Sequence, residues 1–108
     1  MPMRVRWAAG LVFAAAFLLY LRTLAPSVAA LFDDSLEFQL VGYRLGIAHP
    51  TGYPLYTILL KLFTLLSLGD VAYRANLSSA FFAAVAVTLV FLMIHTLTDS
   101  LSSGFFGA

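Results

Sequence analysis

The chain has no cysteine. That removes a disulfide framework, a thiolate zinc site and a thiol nucleophile together, and it leaves redox chemistry silent about compartment. Charge is almost as scarce, with 6 Lys and Arg against 5 Asp and Glu in 108 residues and a formal net charge of +1. A balance so close to neutral supplies no basic field for phosphate backbones, which excludes nucleic acid as a partner. The sequence also lacks a GxGxxG, P-loop, HExxH or Ser-nucleophile signature. What it has in excess is apolar side chains, 62% of residues, against roughly 45–50% in soluble proteins. Trp7 to Leu21 carries no charge, and Ala75 to Thr98 carries only the titratable His95. Such runs describe an all-α membrane protein, and so short a chain is expected to be the N-terminal part of something longer.

Three apolar segments follow from the pattern. Residues 7 to 21 would extend about 22 Å as a helix, and the flanking residues complete a span over 5–24. The rival reading of this segment is a cleaved signal peptide with a basic start and a Val28-Ala29-Ala30 end. The second segment, 54–68, opens on Pro54, which suits the first position of a helix. Lys61 sits near its middle and makes insertion marginal, because a central lysine costs about 2.5–3.5 kcal/mol. Snorkelling or a polar interior are its two explanations. The third segment, 77–98, is the clearest span, and Ser78, Ser79, Ala80, Ala83, Ala84 and Ala86 let neighbouring helices approach closely. Asp70 to Asn76 reads as a short polar turn, and the Ser-Gly-rich stretch after Asp99 as an exit from the membrane. Arg4 and Arg6 argue for a cytoplasmic N-terminus and Arg74 for a cytoplasmic second turn, which places the 25–53 loop outside. The expected location is the cell (inner) membrane, with several passes.

That loop holds the mixed chemistry: Asp33, Asp34, Glu37, Arg44 and His49. Asp34-Ser35-Leu36-Glu37 has the form of a capping box, and Gly46 offers a C-terminal stop, so a short interfacial helix is expected from about 35 to 45. Capping alone would account for Asp34 and Glu37. The functional account is that a carboxylate, a guanidinium and an imidazole gathered at an interface activate a hydroxyl and hold a phosphate. Asp34 could also bind a divalent metal, though no confident metal site is legible. His49 before Pro50 suits loop stabilisation as well as phosphate binding, and Tyr53 and Tyr56 suit interfacial anchoring as well as sugar stacking.

The stretches LAPSVAALFDDSLEFQ, LGIAHPTGYPLY and LGDVAYRANLSSAFF, in that order, carry a resemblance. They look like the N-terminal region of a bacterial multi-pass membrane family, a domain of unknown function related to the transmembrane protein O-mannosyltransferases and similar in plan to the GT-C glycosyltransferases. The family's Asp-x-Gly-Glu-Phe falls on Asp34, Ser35, Leu36, Glu37 and Phe38, with Leu36 in place of glycine. Its histidine-proline motif falls on His49, Pro50, Gly52, Tyr53, Pro54 and Tyr56, with Thr51 where a second proline is common.

The resemblance implies the N-terminal portion of a GT-C-like fold, of which about three transmembrane helices and the extracytoplasmic loop are present. It also implies a polyprenyl-phosphate sugar as donor and a protein or glycan acceptor. Asp34 and Glu37 are then the catalytic carboxylates, and Arg44, His49 and Tyr53 the substrate-binding residues. Membrane lipid and the remaining helices of the full-length chain are the other partners, and these 108 residues are expected to be inactive alone. A transporter or channel subunit lined by Lys61, and a non-enzymatic membrane protein that packs partner helices, are the competing classes.

Overall fold

A computed structural model describes residues 1–29 and 33–108, with Asp33 described by its backbone alone. Ala30 of the candidate cleavage site and the Asp33 side chain lie outside the described residues. The described chain is all helical: α1 Met3–Thr23, α2 Asp33–Arg44, α3 Pro54–Thr64, α4 Val71–Thr98 and α5 Leu101–Gly107. Two of these, α1 with 21 residues and α4 with 28, are long and apolar enough to cross a membrane. Internal contacts divide the chain into two units, Met1–Thr23 with Ala80–Ala108, and Leu24–Ser79.

The first unit is built on small side chains. Val5, Ala8, Ala9 and Val12 of α1 bury themselves against Phe91 of α4, with Val87, Leu92 and Leu101 packed around them. Phe13, Phe17 and Phe81 extend the contact through rings 5.6–6.2 Å apart. Hydroxyls inside α4 turn back on their own helix, with Thr88 donating to Ala84 O and Thr96 to Leu92 O. That keeps polar atoms satisfied where lipid offers no partner. Trp7, Leu11, Leu18, Leu89 and Met93 stay exposed, as befits helices solvated by lipid or by other helices rather than by water.

The C-terminal residues depart from the sequence expectation. Asp99 adopts a left-handed φ of 50°, and its N–H donates to His95 O at 2.8 Å, which ends α4. Ser100 then caps α5 by accepting from the Ser103 N–H at 3.2 Å. Serine and glycine read locally as loop, but Gly104 is buried against Phe91 and the Phe105 ring lies 5.1 Å from that of Phe91, so tertiary contact supports the helix.

The second unit positions the chemistry. α2 ends in a Schellman turn: Leu45 takes the left-handed conformation, φ 54°, and the Gly46 N–H donates to Val41 O at 3.0 Å. The expected stop at Gly46 is thus displaced by one residue. A Cβ on Gly46 would meet nothing nearer than 3.8 Å, so the glycine's freedom is not what ends the helix. α3 begins where Pro54 predicts, but it runs 11 residues, not 15, and spans only about 16 Å. Arg74 satisfies carbonyls at and just beyond the end of α3, with Nη1 donating to Thr64 O at 2.7 Å and Leu66 O at 2.9 Å.

Lys61 has a specific partner that the sequence did not show. It donates to Tyr43 O at 2.6 Å, a carbonyl in the last turn of α2, and lies 5.1 Å from the centre of the Tyr43 ring. A cation there satisfies an orphan acceptor at the negative end of a helix. The expected polar turn at 70–76 is instead the start of α4. Asp70 accepts from the Tyr73 N–H at 2.7 Å and from the Ser27 hydroxyl, and Asp70 O accepts from Arg74 Nε at 3.1 Å. An aspartate cap and a back-reaching arginine convert polar residues into two helical turns. They also hold the Asp70 carboxyl below its ordinary range, chiefly through the Ser27 hydroxyl and then the Tyr73 N–H.

Candidate functional site

The first turn of α2 carries Asp33 and Asp34, where the positive end of the helix dipole favours acidic residues, and Glu37 follows in the second. Asp34 lies at the second position of α2, exposed. The capping box does not form, because Glu37 does not return to the start of its own helix. Its Oε1 accepts the His49 backbone N–H at 2.7 Å, and its Oε2 lies 2.5 Å from His49 Nδ1. Both oxygens of one carboxylate therefore hold one residue of the following loop. His49 can reach because the chain reverses after Leu45 and tightens again at 49–52, where the Gly52 N–H donates to His49 O at 2.7 Å.

Electrostatics follow this geometry. The His49 ring hydrogen bond, then its backbone N–H, keep the Glu37 carboxyl below its ordinary value of 4.5. The bond to Glu37 in turn raises His49 above 6.5, and the Asp34 charge adds to that rise. With Nδ1 engaged on Glu37, Nε2 is the nitrogen left to meet a ligand, as an acceptor when the ring is neutral and a donor when it is protonated.

An aromatic cluster orients the imidazole. The Phe38 ring stands edge-to-face with His49 at 5.9 Å, Tyr53 at 5.2 Å and Tyr56 at 5.0 Å, and Tyr53 meets His49 at 5.2 Å. Tyr53 is the residue before α3 and takes a left-handed φ of 46°. The tyrosines thus build the wall that holds His49.

Close packing of α2 on α3 underlies the arrangement. Gly42 lies so near Leu60 that a Cβ would overlap the leucine side chain, and Leu60 is almost fully buried. Beside Asp34 this packing leaves a cavity of about 160 Å³, lined by Asp34, Ser35, Phe38, Gln39, Tyr56, Leu60, Ala75, Asn76 and Ser79.

Of the residues expected from sequence, Asp34, Glu37 and His49 come together, and Tyr53 joins through His49. Ligand atoms of the first three lie within 4.8 Å of one another. Arg44 does not join them. It is exposed at the far end of α2, about 15 Å along the axis from Asp34, and among the described residues its side chain makes no hydrogen bond or ion pair. Gln39 and Asn76 are the residues that sequence reasoning passed over. The signal was present: both fall within the stretches that carry the family resemblance, and Asn76 precedes a long apolar run in which a polar side chain needs a partner.

A helical chain with two membrane-length helices, and a polar site at one end of α2, belongs to the membrane-associated proteins. Comparison with known proteins makes this specific. Residues 34–105 match the family described as the Protein O-mannosyl-transferase TMEM260 N-terminal domain, and the chain belongs to that family. It is 41% identical over 98 residues to the Protein O-mannosyl-transferase TMEM260 of Mus musculus, covering 90% of this chain and 14% of the mouse protein. It is 30% identical over 88 residues to the Protein O-mannosyl-transferase tmem260 of Dictyostelium discoideum, covering 79% of this chain and 10% of that protein. No solved structure matches. The O-mannosyltransferase relation expected from the motifs thus stands, and these two relatives are eukaryotic proteins. The chain spans only a small part of the length of either.

Proposed function

We propose that this chain is the N-terminal part of an integral membrane glycosyltransferase of GT-C plan, which moves a sugar from a polyprenyl phosphate to an acceptor hydroxyl at the extracytoplasmic face. The observation that carries the reading is the division of labour between carboxylates: Glu37 is committed to His49, while Asp34 lines a polar cavity and its side chain makes no hydrogen bond or ion pair among the described residues. A general base must be both ionised and free to reach its proton. Asp34 accepts the acceptor's hydroxyl proton as the new bond from that oxygen to the anomeric carbon forms. The bond from the anomeric carbon to the phosphate oxygen breaks, and the electron pair leaves with the phosphate. Protonated His49, held on Glu37, presents Nε2–H to the departing phosphate.

Arg44 takes no part near the reacting atoms in this reading and contacts lipid headgroups instead. Since α3 is shorter than a hydrocarbon core of about 30 Å, α1 and α4 are the spans. The segment between them then lies on one face, outside if Arg4 and Arg6 mark a cytoplasmic N-terminus. With Lys61 spent on Tyr43 O, the transporter reading loses its intramembrane charge.

Two carboxylates and an imidazole also fit a divalent cation by donor type. Asp34, Glu37 and His49 would hold it, and its chemistry there would be to lower the pKa of the acceptor hydroxyl.

The test is Asp34→Asn in the full-length protein at matched expression, assayed by transfer of radiolabel from a polyprenyl-phosphate sugar. Transfer should fall by about 100-fold or more. An undiminished rate would remove Asp34 from the role of base.

A further inference from the structure

The cavity beside Asp34 is lined by two amides whose orientations are forced. Asn76 Nδ2 donates to Ala25 O at 3.2 Å and to Ser27 O at 2.9 Å, which uses both of its N–H bonds. Reversing the amide would set its oxygen against two carbonyl oxygens, so Asn76 Oδ1 has to face Gln39. Gln39 Nε2 donates to it at 3.2 Å. The consequence falls on the other end of Gln39. Its Oε1 is left without a partner among the described residues, on a side chain that is only 9% exposed and lines the cavity. A carbonyl oxygen fixed in this way is a directed acceptor for an O–H group.

Size and wall chemistry narrow the ligand. The cavity is about 160 Å³ and open on one side, which limits what it can seat to a single sugar ring. The rings of Phe38 and Tyr56 form an apolar wall, against which the C–H face of a sugar can pack. Ser35 and Ser79 add hydroxyls to the lining. The anomeric carbon of a ring seated here would lie next to Asp34, where an acceptor oxygen must approach.

We propose that the cavity is the subsite for the pyranose being transferred, and that Gln39 is a specificity-determining residue whose Oε1 accepts a hydrogen bond from one ring hydroxyl. This rests on the glycosyl-transfer reading of Asp34. Neither Gln39 nor Asn76 moves a proton in the reaction. Asn76 is a positioning residue that acts by holding the Gln39 amide.

The experiment uses the full-length protein with polyprenyl-phosphate mannose and its four monodeoxy forms as donors. In the wild type one deoxy donor should lose roughly 100-fold in kcat/KM, the cost of leaving a buried acceptor unpaired. Gln39→Met, which keeps the shape and removes the carbonyl, should lower kcat/KM for the parent donor by a similar factor and abolish the preference over that deoxy donor. If no deoxy donor loses more than about tenfold in the wild type, the proposal falls without any variant being needed. It also falls if Gln39→Met preserves the discrimination, or alters only the choice between serine and threonine acceptors. An active Asp34→Asn protein would instead overturn the underlying reading, so the two failures are distinguishable.

Discussion

The close approach of α2 to α3 can be tested at Gly42. A methyl group there overlaps the side chain of Leu60, which is 1% exposed. Gly42→Ala gains about 1 kcal/mol in helix propensity and pays about 1–3 kcal/mol for overpacking. The expected net loss is about 1 kcal/mol. Leu60→Ala should cost about 2–5 kcal/mol through the void it leaves. In the double variant the new methyl enters that void, so its loss should fall short of the two single losses combined by about 1–2 kcal/mol. Reversible unfolding of the full-length protein in detergent measures these values, with transfer activity read alongside. Because the same contact sets the path of residues 45–53, and thereby His49 on Glu37, Gly42→Ala should also slow transfer by about tenfold. The double variant should recover part of that rate. Stabilisation of Gly42→Ala by its full propensity gain, or strict additivity with Leu60→Ala, would refute the close packing and the positioning argument built on it.

Two further outcomes follow from the site. Glu37→Gln should return the His49 pKa downward toward its ordinary 6.5, which imidazole NMR of ¹⁵N-histidine protein reads directly; an unmoved titration would deny the pair. The pH dependence has a definite sign on each side. Glu37's contribution to stability is complete above its ordinary 4.5 and is lost as pH falls through its lowered folded value. His49's is complete below 6.5 and is lost as pH rises through its raised folded value. The melting difference between wild type and Glu37→Gln should therefore be greatest between these two ordinary values, and a maximum elsewhere would contradict the assignment. Chelation offers the remaining check: with both Glu37 oxygens already on His49, EDTA should change transfer by less than about threefold. A large loss restored by a divalent ion would make Asp34, Glu37 and His49 a cation site.

Much of the architecture was legible because it depends on local composition. The uncharged runs announced α1 and the greater part of α4, and Pro54 marked the start of α3 to the residue. The acidic cluster and the histidine-proline motif pointed to Asp34, Glu37 and His49 before any coordinates. Three readings went astray for one shared reason: a polar side chain was assigned to its own segment when its partner lay elsewhere. Glu37 was expected to cap α2 and instead holds His49. Lys61 was read without a protein partner, and it donates to the Tyr43 carbonyl at the end of α2. Arg74 was placed in a turn, yet it closes α3 from within α4.

The sequence by itself determined that the chain belongs in a membrane, that a helix is broken before Pro54, and that its acidic residues gather beside the first span. These are consequences of hydrophobic run length and of the backbone limits of proline and glycine, which act within a few residues. Only the tertiary structure decided that Glu37 holds His49, 12 residues away, and that Asn76 holds Gln39, 37 residues away. Such pairs form only when helix packing brings the segments together, as Gly42 against Leu60 does here. A hydrogen bond's few ångströms of reach cannot be read from spacing along the chain.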